Sequence, residues 1–492
     1  MKNAVTTQAY LSTAADADGV TRPKAELGSN GSGYFTFSFQ VNNLSDEALT
    51  YTLTSSSLTE GIVTQDGVKF SDQLSTRLEE DDFTVSYSGS TVEDGVVTVP
   101  ANGTATVDVT IQLSDSYLSD SYLSELYSNF ENGNYCEGYV YLQPTDGVTL
   151  VIPYLGFVGD WATAGVVFEG AMDSNFSLAP TQFATANVMG SGIYLGEDST
   201  NDGSKSYNYD RLAFSPKIAG NQQYLAMQLG IRRNLLDFEA SISDAEGNKV
   251  WSLGADYLRK CYYNTNTGSV SQAQVLTDGW NGRYQDPETG EYTGDYAPAG
   301  QYYLTLEGYV GQQSDVKTSK TYPIWLDGSA PEVSKLQCYV GENDRNENGE
   351  GKFKLAFDVK DDHFVRTVIV NDSTGTWRLT YSDADFKNHS IQQGETTKVV
   401  MDLDELCQFL ADNGLNPGRV KMYVYDYSMN YSVTYIDLGP QYLSLSNATV
   451  AQGDTLQMEY RVLPARLADT LKLAWTSSDE NIATVDENGV VT

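Results

Sequence analysis

Few residues in this 492-residue chain could perform acid–base or nucleophilic chemistry, because it holds only two histidines. A serine nucleophile needs an imidazole within hydrogen-bond reach, and that imidazole needs a carboxylate to orient it. His363 follows a predicted strand, and His389 lies in a polar stretch. No strained Gly-x-Ser-x-Gly turn accompanies either one. We therefore interpret both histidines as surface or turn residues and expect no catalytic residue in this chain.

One short segment has the spacing of a metal loop. Asp344, Asn346 and Asn348 occupy positions one, three and five of a calcium-loop pattern, and Gly349 occupies the position of its sharp turn. The twelfth position holds Leu355 instead of glutamate, inside a stretch that predicts a strand, which excludes a helix-loop-helix site. Two interpretations stay open, a polar hairpin turn and a calcium site in a loop. Ca²⁺ is the one possible cofactor, since the sequence has no Walker loop and no dinucleotide fingerprint.

Acidic residues dominate the charge of the chain. There are 66 Asp plus Glu against 30 Lys plus Arg, a formal net charge of −36. Such a chain does not attract phosphate backbones or anionic membranes, so we expect no nucleic-acid partner. Runs such as residues 79–82 are interpreted as solvated loops, because a glycosidase pair needs a shaped cleft that sequence cannot show. The apolar share of 40% predicts packed, globular cores.

Two further absences narrow the class of protein. No stretch approaches 18 consecutive apolar residues, so no membrane span is expected, and residues 1–5 lack the apolar run of a secretion signal. The four cysteines lie far apart in sequence, which argues against metal knuckles and a disulfide framework. We expect them to be small buried residues: Cys136, Cys261, Cys338 and Cys407.

Alternation with period two is the main structural signal. It places Phe35, Phe37, Phe39 and Val41 on one face, and it returns in residues 105–113, 302–306 and 353–359. Half-buried antiparallel strands produce this pattern. The sequence therefore predicts an all-β chain of tandem antiparallel β-sandwiches, fibronectin type III-like and Ig-like.

Two segments depart from that period and predict one or two short covering helices. Residues 401–413 place Leu403, Leu406 and Leu410 on one stripe, with Asp402 as cap and Gly414 as terminator. Residues 115–131 space large apolar residues four apart. Each is expected to cover the edge or face of a sheet.

Turn-rich punctuation predicts the domain boundaries. A segment of residues 1–10 precedes the first module at 11–158, the second module spans 159–327 and the third spans 328–438. An incomplete Ig-like domain follows at 439–492. The connections are short, so the modules are expected to form a semi-rigid stalk.

Several of these segments resemble one family. Residues 132–138 and the string Ile-Pro-Tyr-Leu-Gly-Phe-Val-Gly-Asp-Trp at 152–161 resemble the end of the first fibronectin-like module in subtilisin-like cell-envelope proteinases of Gram-positive bacteria, the lactocepin type and its streptococcal relatives that cleave complement peptides. Trp280-Asn-Gly-Arg and residues 297–302 are similar to hairpins of the second module. Residues 330–331, 361–362 and 425–430 resemble the third, where acidic and Asn residues shape turns. Residues 475–491 resemble a bacterial Ig-like domain.

The resemblance implies a non-catalytic accessory region. Residues 1–10 would be the remnant of the protease-domain exit, and an upstream subtilisin-like catalytic domain would be the partner. The His-Gly-Thr and Gly-Thr-Ser-Met motifs of that domain do not occur in the chain, so this chain is not expected to be an enzyme itself. The parent would be an extracellular, cell-wall-associated serine endopeptidase, and these modules would position it and help to select protein substrates. The last domain stops before its final strand, so we expect it to be the least stable module.

A second class stays open. An independent adhesin or glycan-binding protein needs a shallow aromatic platform, and Tyr292, Tyr296 and Tyr309 are candidates for one. Packing within hairpins is the competing interpretation of the same residues.

Overall fold

The computed structural model describes most of the chain. It covers residues 7–492 except 15–20, 66–67, 79–81, 115–121, 131–132, 162–164, 168–180, 186–193, 200–204, 262, 265–266, 268, 271–273, 287, 311–316, 346–350, 372–377, 383–392, 416–418, 441 and 464–470.

The first sandwich consists of two sheets that enclose one core. One sheet has the order β1-β3-β9-β6, and the other has the order β2-β11-β10-β4-β8-β7, with β5 paired to β4. Their strands are β1 (Ala9–Ser12), β2 (Ala25–Asn30), β3 (Tyr34–Asn43), β4 (Leu49–Gln65), β5 (Val68–Arg77), β6 (Phe83–Ser88), β7 (Val92–Glu93), β8 (Val96–Val99), β9 (Thr104–Leu113), β10 (Asn134–Pro144) and β11 (Leu150–Val158).

The expected alternation appears in β3 and β9. Phe35, Phe39 and Val41 of β3 are buried and lie beside the buried odd-numbered residues of the neighbouring strand β9. The even-numbered residues of both strands point outward. Helix α1 (Tyr122–Asn129) contributes the fully buried Leu126 to the same core. The predicted helix at 115–131 is thus confirmed for 122–129, and residues 115–121, 131 and 132 lie outside the described part.

The second sandwich is built on a five-stranded sheet. Its order is β15-β27-β26-β19-β20, and it packs with the three-stranded sheet β12-β18-β23 around Trp280, Tyr322 and Phe214. The strands are β12 (Gln182–Thr185), β13 (Glu197–Ser199), β14 (Lys205–Tyr207), β15 (Ala213–Phe214), β16 (Lys217–Ile218), β17 (Asn221–Gln222), β18 (Leu225–Leu229), β19 (Leu235–Ser243), β20 (Lys249–Leu258), β21 (Tyr263–Asn264), β22 (Ser269–Val270), β23 (Gln274–Leu276), β24 (Arg283–Gln285), β25 (Tyr292–Tyr296), β26 (Gly300–Val310) and β27 (Lys317–Leu326).

The third sandwich pairs the sheet β28-β29-β32 with the sheet β31-β30-β33-β34. Phe353, Phe357, Met401 and Met422 are buried between them. The strands are β28 (Glu332–Arg345), β29 (Gly351–Lys360), β30 (Val365–Asn371), β31 (Arg378–Ser382), β32 (Thr397–Asp402), β33 (Arg419–Asp426) and β34 (Tyr431–Asp437).

Helix α2 (Asp404–Asp412) covers this third core with Leu406 and Leu410. The sequence segment predicted to hold this helix was 401–413, with its cap at Asp402; Met401 and Asp402 themselves pair with β29 as the end of β32. Asp402 still caps the helix, since its Oδ1 accepts a hydrogen bond from the Asp404 N–H at 3.0 Å. Gly414 has the expected left-handed φ of 64°.

The last segment has two small sheets, β35-β37 and β36-β38. Val462 is buried, but Leu443, Leu445 and Ile482 are half or more exposed. Low burial favours the expectation that this part is the least stable, which stays a prediction. The strands are β35 (Tyr442–Leu445), β36 (Leu456–Gln457), β37 (Tyr460–Leu463) and β38 (Val490–Val491).

The all-β fold class predicted from sequence is confirmed, with tandem antiparallel sandwiches and two short covering helices among the described residues. Within that part of the chain, no helix has the length and apolar character needed to cross a bilayer. No disulfide links the four cysteines; Cys136 and Cys407 are buried and the other two are half-buried.

Gly138 in β10 tests the packing of the first sandwich. A Cβ at this position would lie 2.2 Å from the Ser56 carbonyl oxygen and 2.4 Å from the Tyr154 hydroxyl. We expect Gly138→Ala to lower the free energy of unfolding by about 1–3 kcal/mol through overpacking, measured by urea denaturation. Gly31→Ala is the matched control, because nothing lies within 4 Å of a Cβ there. Equal effects of the two substitutions would contradict the packing described here.

Candidate functional site

Of the three sequence-predicted calcium residues, the structure describes only the backbone of Asp344. Asp344 is in β28, and Arg345 pairs with Gly351 of β29, so residues 346–350 connect two antiparallel strands. The side chain of Asp344 and the whole of Asn346 and Asn348 lie outside the described part of the chain. Leu355 is in β29, as expected. Calcium binding by these three residues stays a prediction.

His363 is buried, which corrects the interpretation of a surface residue. It exposes 4% of its surface and stacks on Trp325 with ring centroids 5.6 Å apart. Burial lowers the pKa of His363 to about 4, and the charge of Arg211 acts in the same direction. Among the described residues, no hydroxyl or carboxylate hydrogen bonds to its ring nitrogens. The arrangement is a packed neutral imidazole, and His389 lies outside the described part.

Trp325 and His363 mark the place where the second sandwich meets the third, which we call the second–third joint. Three buried carboxylates converge there: Asp327, Asp361 and Asp426. One oxygen from each lies within 4.8 Å of the others, and the three residues expose 1%, 4% and 0% of their surfaces. We call these three residues the acidic cluster.

Each sandwich supplies part of the acidic cluster. Asp327 follows β27, and its N–H donates to the Phe214 carbonyl at 2.9 Å, which fixes it to the second sandwich. Asp361 follows β29, and Asp426 ends β33, where it lies opposite Val365 of β30. Two strand ends of the third sandwich are therefore brought against one strand end of the second.

Local turns orient all three carboxylates in the same way. The Oδ1 of Asp327 accepts from the Ser329 N–H at 2.9 Å, and the Oδ1 of Asp361 accepts from the His363 N–H at 2.9 Å. The Oδ1 of Asp426 accepts from the Ser428 hydroxyl and the Asn430 N–H, both at 2.8 Å. Such Asx turns use one carboxylate oxygen and leave the other available.

The second oxygens lack donors. Within the described residues, no group donates a hydrogen bond to the Oδ2 of Asp327, Asp361 or Asp426. Two like charges 4 Å apart repel by about 4 kcal/mol at the effective dielectric constant typical of protein surfaces. The cluster therefore favours either bound protons or a bound cation over three bare carboxylates.

The pKa values of the cluster follow from burial and mutual repulsion. Burial raises the pKa of Asp361 from 3.8 to about 7, and the charges of Asp327 and Asp362 add to the effect. Burial also raises the pKa of Asp426 well above its ordinary value, with the charges of Asp327 and Asp361 as further causes. The pKa of Asp327 is raised, again mainly by burial.

Two arginines at the second–third joint fasten the two sandwiches to each other. The Nη2 of Arg366 lies 3.5 Å from the Oε1 of Glu197, and its Nε donates to the Glu197 carbonyl at 3.0 Å. Arg211 of the second sandwich stacks its guanidinium 3.4 Å from the centroid of the Phe364 ring. The Sδ of Met429, a residue with a left-handed φ of 71°, accepts a hydrogen bond from Arg366 Nη1 at 3.0 Å.

The first and second sandwiches meet through an aromatic contact. Trp161 packs edge to face on Phe157 at 4.9 Å, and the Arg233 guanidinium lies 4.4 Å from the Trp161 ring. Arg233 also donates from Nε to the Trp161 carbonyl at 3.3 Å. A desolvated cation over an indole ring contributes about 2 kcal/mol. Residues 157–161, quoted for the family resemblance, thus form half of this first joint.

The tyrosines proposed for a glycan platform are engaged in packing. The Tyr292 hydroxyl accepts from Trp251 Nε1 at 2.9 Å and donates to the Gly279 carbonyl at 3.2 Å. The Tyr296 hydroxyl donates to Gln222 and accepts from Arg283. Tyr309 is half-buried in β26. For Tyr292 and Tyr296, packing within hairpins describes the structure better than a free platform.

Sequence reasoning found the residues of the acidic cluster only as turn formers. Asp327 was placed in a linker, and Asp361 and Asp426 were placed in turns that resemble those of the family's third module. The convergence depends on the packing of two sandwiches, which no local pattern reports. The available signal was slight, since only Asp361 closely follows a stretch with strand alternation, residues 353–359.

Family models match both ends of the chain. An Fn3-like domain matches residues 26–155, and a bacterial Ig-like domain (group 2) matches residues 433–492. The first match lies within the first sandwich. The second begins in β34 and includes the small sheets of the last segment.

Curated relatives are proteinases of bacteria. The chain is 27% identical over 416 residues to a PI-type proteinase of Lactococcus lactis subsp. cremoris, with 83% of this chain and 20% of the relative covered. It is 26% identical to a PII-type proteinase of Lacticaseibacillus paracasei over the same shares. A C5a peptidase of Streptococcus pyogenes is 23% identical over 307 residues, 51% of this chain and 25% of the relative. The chain is homologous to these proteinases and spans about a fifth to a quarter of their length.

Arg366 tests the second–third joint. The side chain of Glu197 is 3% exposed and that of Arg366 is 12% exposed, so Arg366→Ala leaves a buried carboxylate without its cation. We expect Arg366→Ala to lower the free energy of unfolding by about 3 kcal/mol, measured by urea denaturation. The control is Lys335→Ala, which removes an ion pair with Asp358 whose lysine is 79% exposed. It should leave the free energy of unfolding nearly unchanged. The joint would be refuted by an Arg366→Ala variant as stable as Lys335→Ala.

Asp361→Asn tests how the charge of the acidic cluster affects stability when a chelator keeps the protein free of metal ions. A folded-state pKa near 7, raised above the ordinary value of 3.8, means that Asp361 stabilises the fold below pH 4 and that this stability is lost as the pH rises through 7. The groups near Asp361 are the carboxylates of Asp327, Asp362 and Asp426 and the N–H of His363. The variant should therefore be close to wild type in stability at pH 4 and gain on wild type as the pH rises to 8, by on the order of 1–3 kcal/mol. A calorimetric difference that does not change with pH would count against this.

Proposed function

We propose that this chain is a non-catalytic accessory region of a secreted, cell-wall-associated subtilisin-like serine endopeptidase. The observation that carries the proposal is homology to cell-envelope proteinases over 83% of the chain. A match of that extent must include parts of all three sandwiches, whose cores span residues 9–438. The matched share of the relatives is a fifth of their length, which leaves room for a separate catalytic region.

The residues of the chain support a role without catalysis. His363 is packed against Trp325 and Phe364, and the described residues bring no hydroxyl into hydrogen-bond reach of its ring. A serine-type mechanism needs that contact. An extracellular location on the cell wall and an upstream catalytic partner are part of the proposal, because the relatives are proteinases.

The joints support positioning as the contribution of this region. A stalk can hold a catalytic domain at a set distance and direction only if its modules do not swing freely. Here Arg233 on Trp161 fastens the first joint, and Arg366 on Glu197 fastens the second–third joint. The three cores support the proposed domain division of 11–158, 159–327 and 328–438, with Ala9 of β1 belonging to the first core as well.

Substrate selection is the second part of the proposed role. Loops at the ends of β-sandwiches are free to contact an extended protein substrate while the sheets stay rigid. The formal charge of −36 would raise the encounter rate with cationic protein substrates. The effect should weaken as the ionic strength rises.

A stand-alone adhesin remains the second candidate, because one exposed aromatic strip favours it. Tyr423, Tyr425 and Tyr431 lie 5.2–6.2 Å apart on β33 and β34, and Tyr435 is 56% exposed beside them. Exposed tyrosine rings on a flat sheet suit stacking against sugars. Glycan-array binding that Tyr431→Ala and Tyr435→Ala abolish would favour the adhesin.

The genomic sequence upstream of the codon for Met1 tests the proposal. An in-frame catalytic domain with Asp, His and Ser motifs is the expected result, and the purified 492-residue chain should hydrolyse no peptide. An unrelated upstream reading frame would contradict the accessory role. Peptide hydrolysis by the chain that a serine-directed inhibitor abolishes would contradict the absence of catalysis.

A further inference from the structure

We propose that the acidic cluster of Asp327, Asp361 and Asp426 is a calcium site that joins the second sandwich to the third. This site is distinct from the hairpin at Asp344, which lies at the opposite end of β29 from Asp361. It does not depend on the role of the chain beside a protease.

The separation of the carboxylate oxygens fits a calcium ion. One carboxylate oxygen from each residue lies within 4.8 Å of the other two. Two ligands on opposite sides of a cation at about 2.4 Å are about 4.8 Å apart, and Ca²⁺ binds oxygen at about 2.3–2.6 Å. Mg²⁺ needs about 2.0–2.1 Å and a near-ideal octahedron, a stricter demand on three strand ends than the flexible coordination of Ca²⁺.

The donor set also favours a hard cation. All three ligands are carboxylates, and the cysteines and His363 are not among the groups that converge. Zinc sites in proteins are built mainly from Cys and His, whereas carboxylate oxygens suit Ca²⁺. A fourth carboxylate, that of the exposed Asp362, lies beside the cluster. Its Oδ2 accepts a hydrogen bond at 3.3 Å from the hydroxyl of Ser329, the residue whose N–H is bound by Asp327.

The second, independent indication is the state of the Oδ2 atoms. Each side chain is more than nine-tenths buried, each Oδ1 is held by a turn, and each Oδ2 has no donor among the described residues. Buried carboxylate oxygens are normally paired with donors or cations. Three buried carboxylates that converge, each held by a turn at one oxygen and unpaired at the other, have the form of a preorganised ligand set.

The site also explains why the cluster lies at a joint. Asp327 is fixed to the second sandwich through the Phe214 carbonyl, while Asp361 and Asp426 belong to the third. A cation bound by all three carboxylates restricts the movement of one module relative to the other. Without it, the same residues repel one another across the joint.

Isothermal titration with CaCl₂ of the chelator-treated 492-residue chain at pH 7.5 tests the site. We expect binding with a Kd of about 10⁻³ M or tighter, the range of extracellular calcium modules, and a higher melting temperature in calcium. Asp361→Asn and Asp426→Asn should each weaken binding at least tenfold. Circular dichroism verifies that both variants are folded, and Asp327→Asn serves as a further variant if one is not.

Two control variants separate this site from the alternatives. Asp437→Asn replaces an exposed aspartate of the third sandwich whose Oδ1 also accepts a backbone N–H, that of Gly439 at 2.8 Å, and it should bind calcium as wild type does. Asp344→Asn should likewise keep the binding assigned to the acidic cluster. No calcium binding at 10⁻² M, or binding that survives Asp361→Asn and Asp426→Asn, would overturn the site.

Hydrogen exchange tests the bridging. Calcium should slow amide exchange at residues 327–329 of the second sandwich as well as at residues 361–363 and 426–430 of the third. Slowing that is confined to the third sandwich would refute the bridge, since the ion would then bind one module only.

Discussion

Three aspartates that are buried within 4.8 Å of one another constrain the middle of this molecule. Their like charges cannot all persist in a space from which water is excluded without compensation by protons or a cation. Asp327 belongs to the second sandwich, and Asp361 and Asp426 belong to the third. The protons or cation that neutralise the cluster therefore act between the two modules. The angle and strength of the second–third joint therefore depend on what neutralises the cluster.

The rest of the joint is consistent with that constraint. Arg366 supplies a positive charge to Glu197, and Arg211 lies over Phe364, so each cation is engaged with its own partner near the cluster. His363 is kept neutral by burial, with its pKa near 4, and so supplies no charge to the carboxylates. The first joint uses a different solution, with Arg233 over Trp161 and no convergence of carboxylates among the described residues. Three arginines of a chain with a net charge of −36, Arg211, Arg233 and Arg366, thus lie where modules meet.

Much of the fold could be predicted from sequence because it follows from local patterns. Alternation in residues 34–41 and 105–113 reports which face of a strand is buried, and the Asp402 cap with Gly414 reports a helix. What these local signals do not report is that Met401, at the head of the helical segment, pairs with Leu355 in a strand, because that pairing is a long-range event. The acidic cluster and the burial of His363 could not be predicted, because both depend on how two separate sandwiches contact each other. The family resemblance was confirmed by relatives that cover 83% of the chain, but resemblance alone did not distinguish turn-forming aspartates from convergent ones.

A crystal structure of the chain grown in CaCl₂, with diffraction data collected at a long wavelength, tests the central claim most directly. A calcium site predicts an anomalous peak between the Oδ2 atoms of Asp327, Asp361 and Asp426, at about 2.3–2.6 Å from each. A cluster that is neutralised by protons instead predicts no peak and direct carboxyl–carboxylate hydrogen bonds with O···O distances of about 2.5–2.7 Å. The second result would contradict calcium as the link between the two sandwiches.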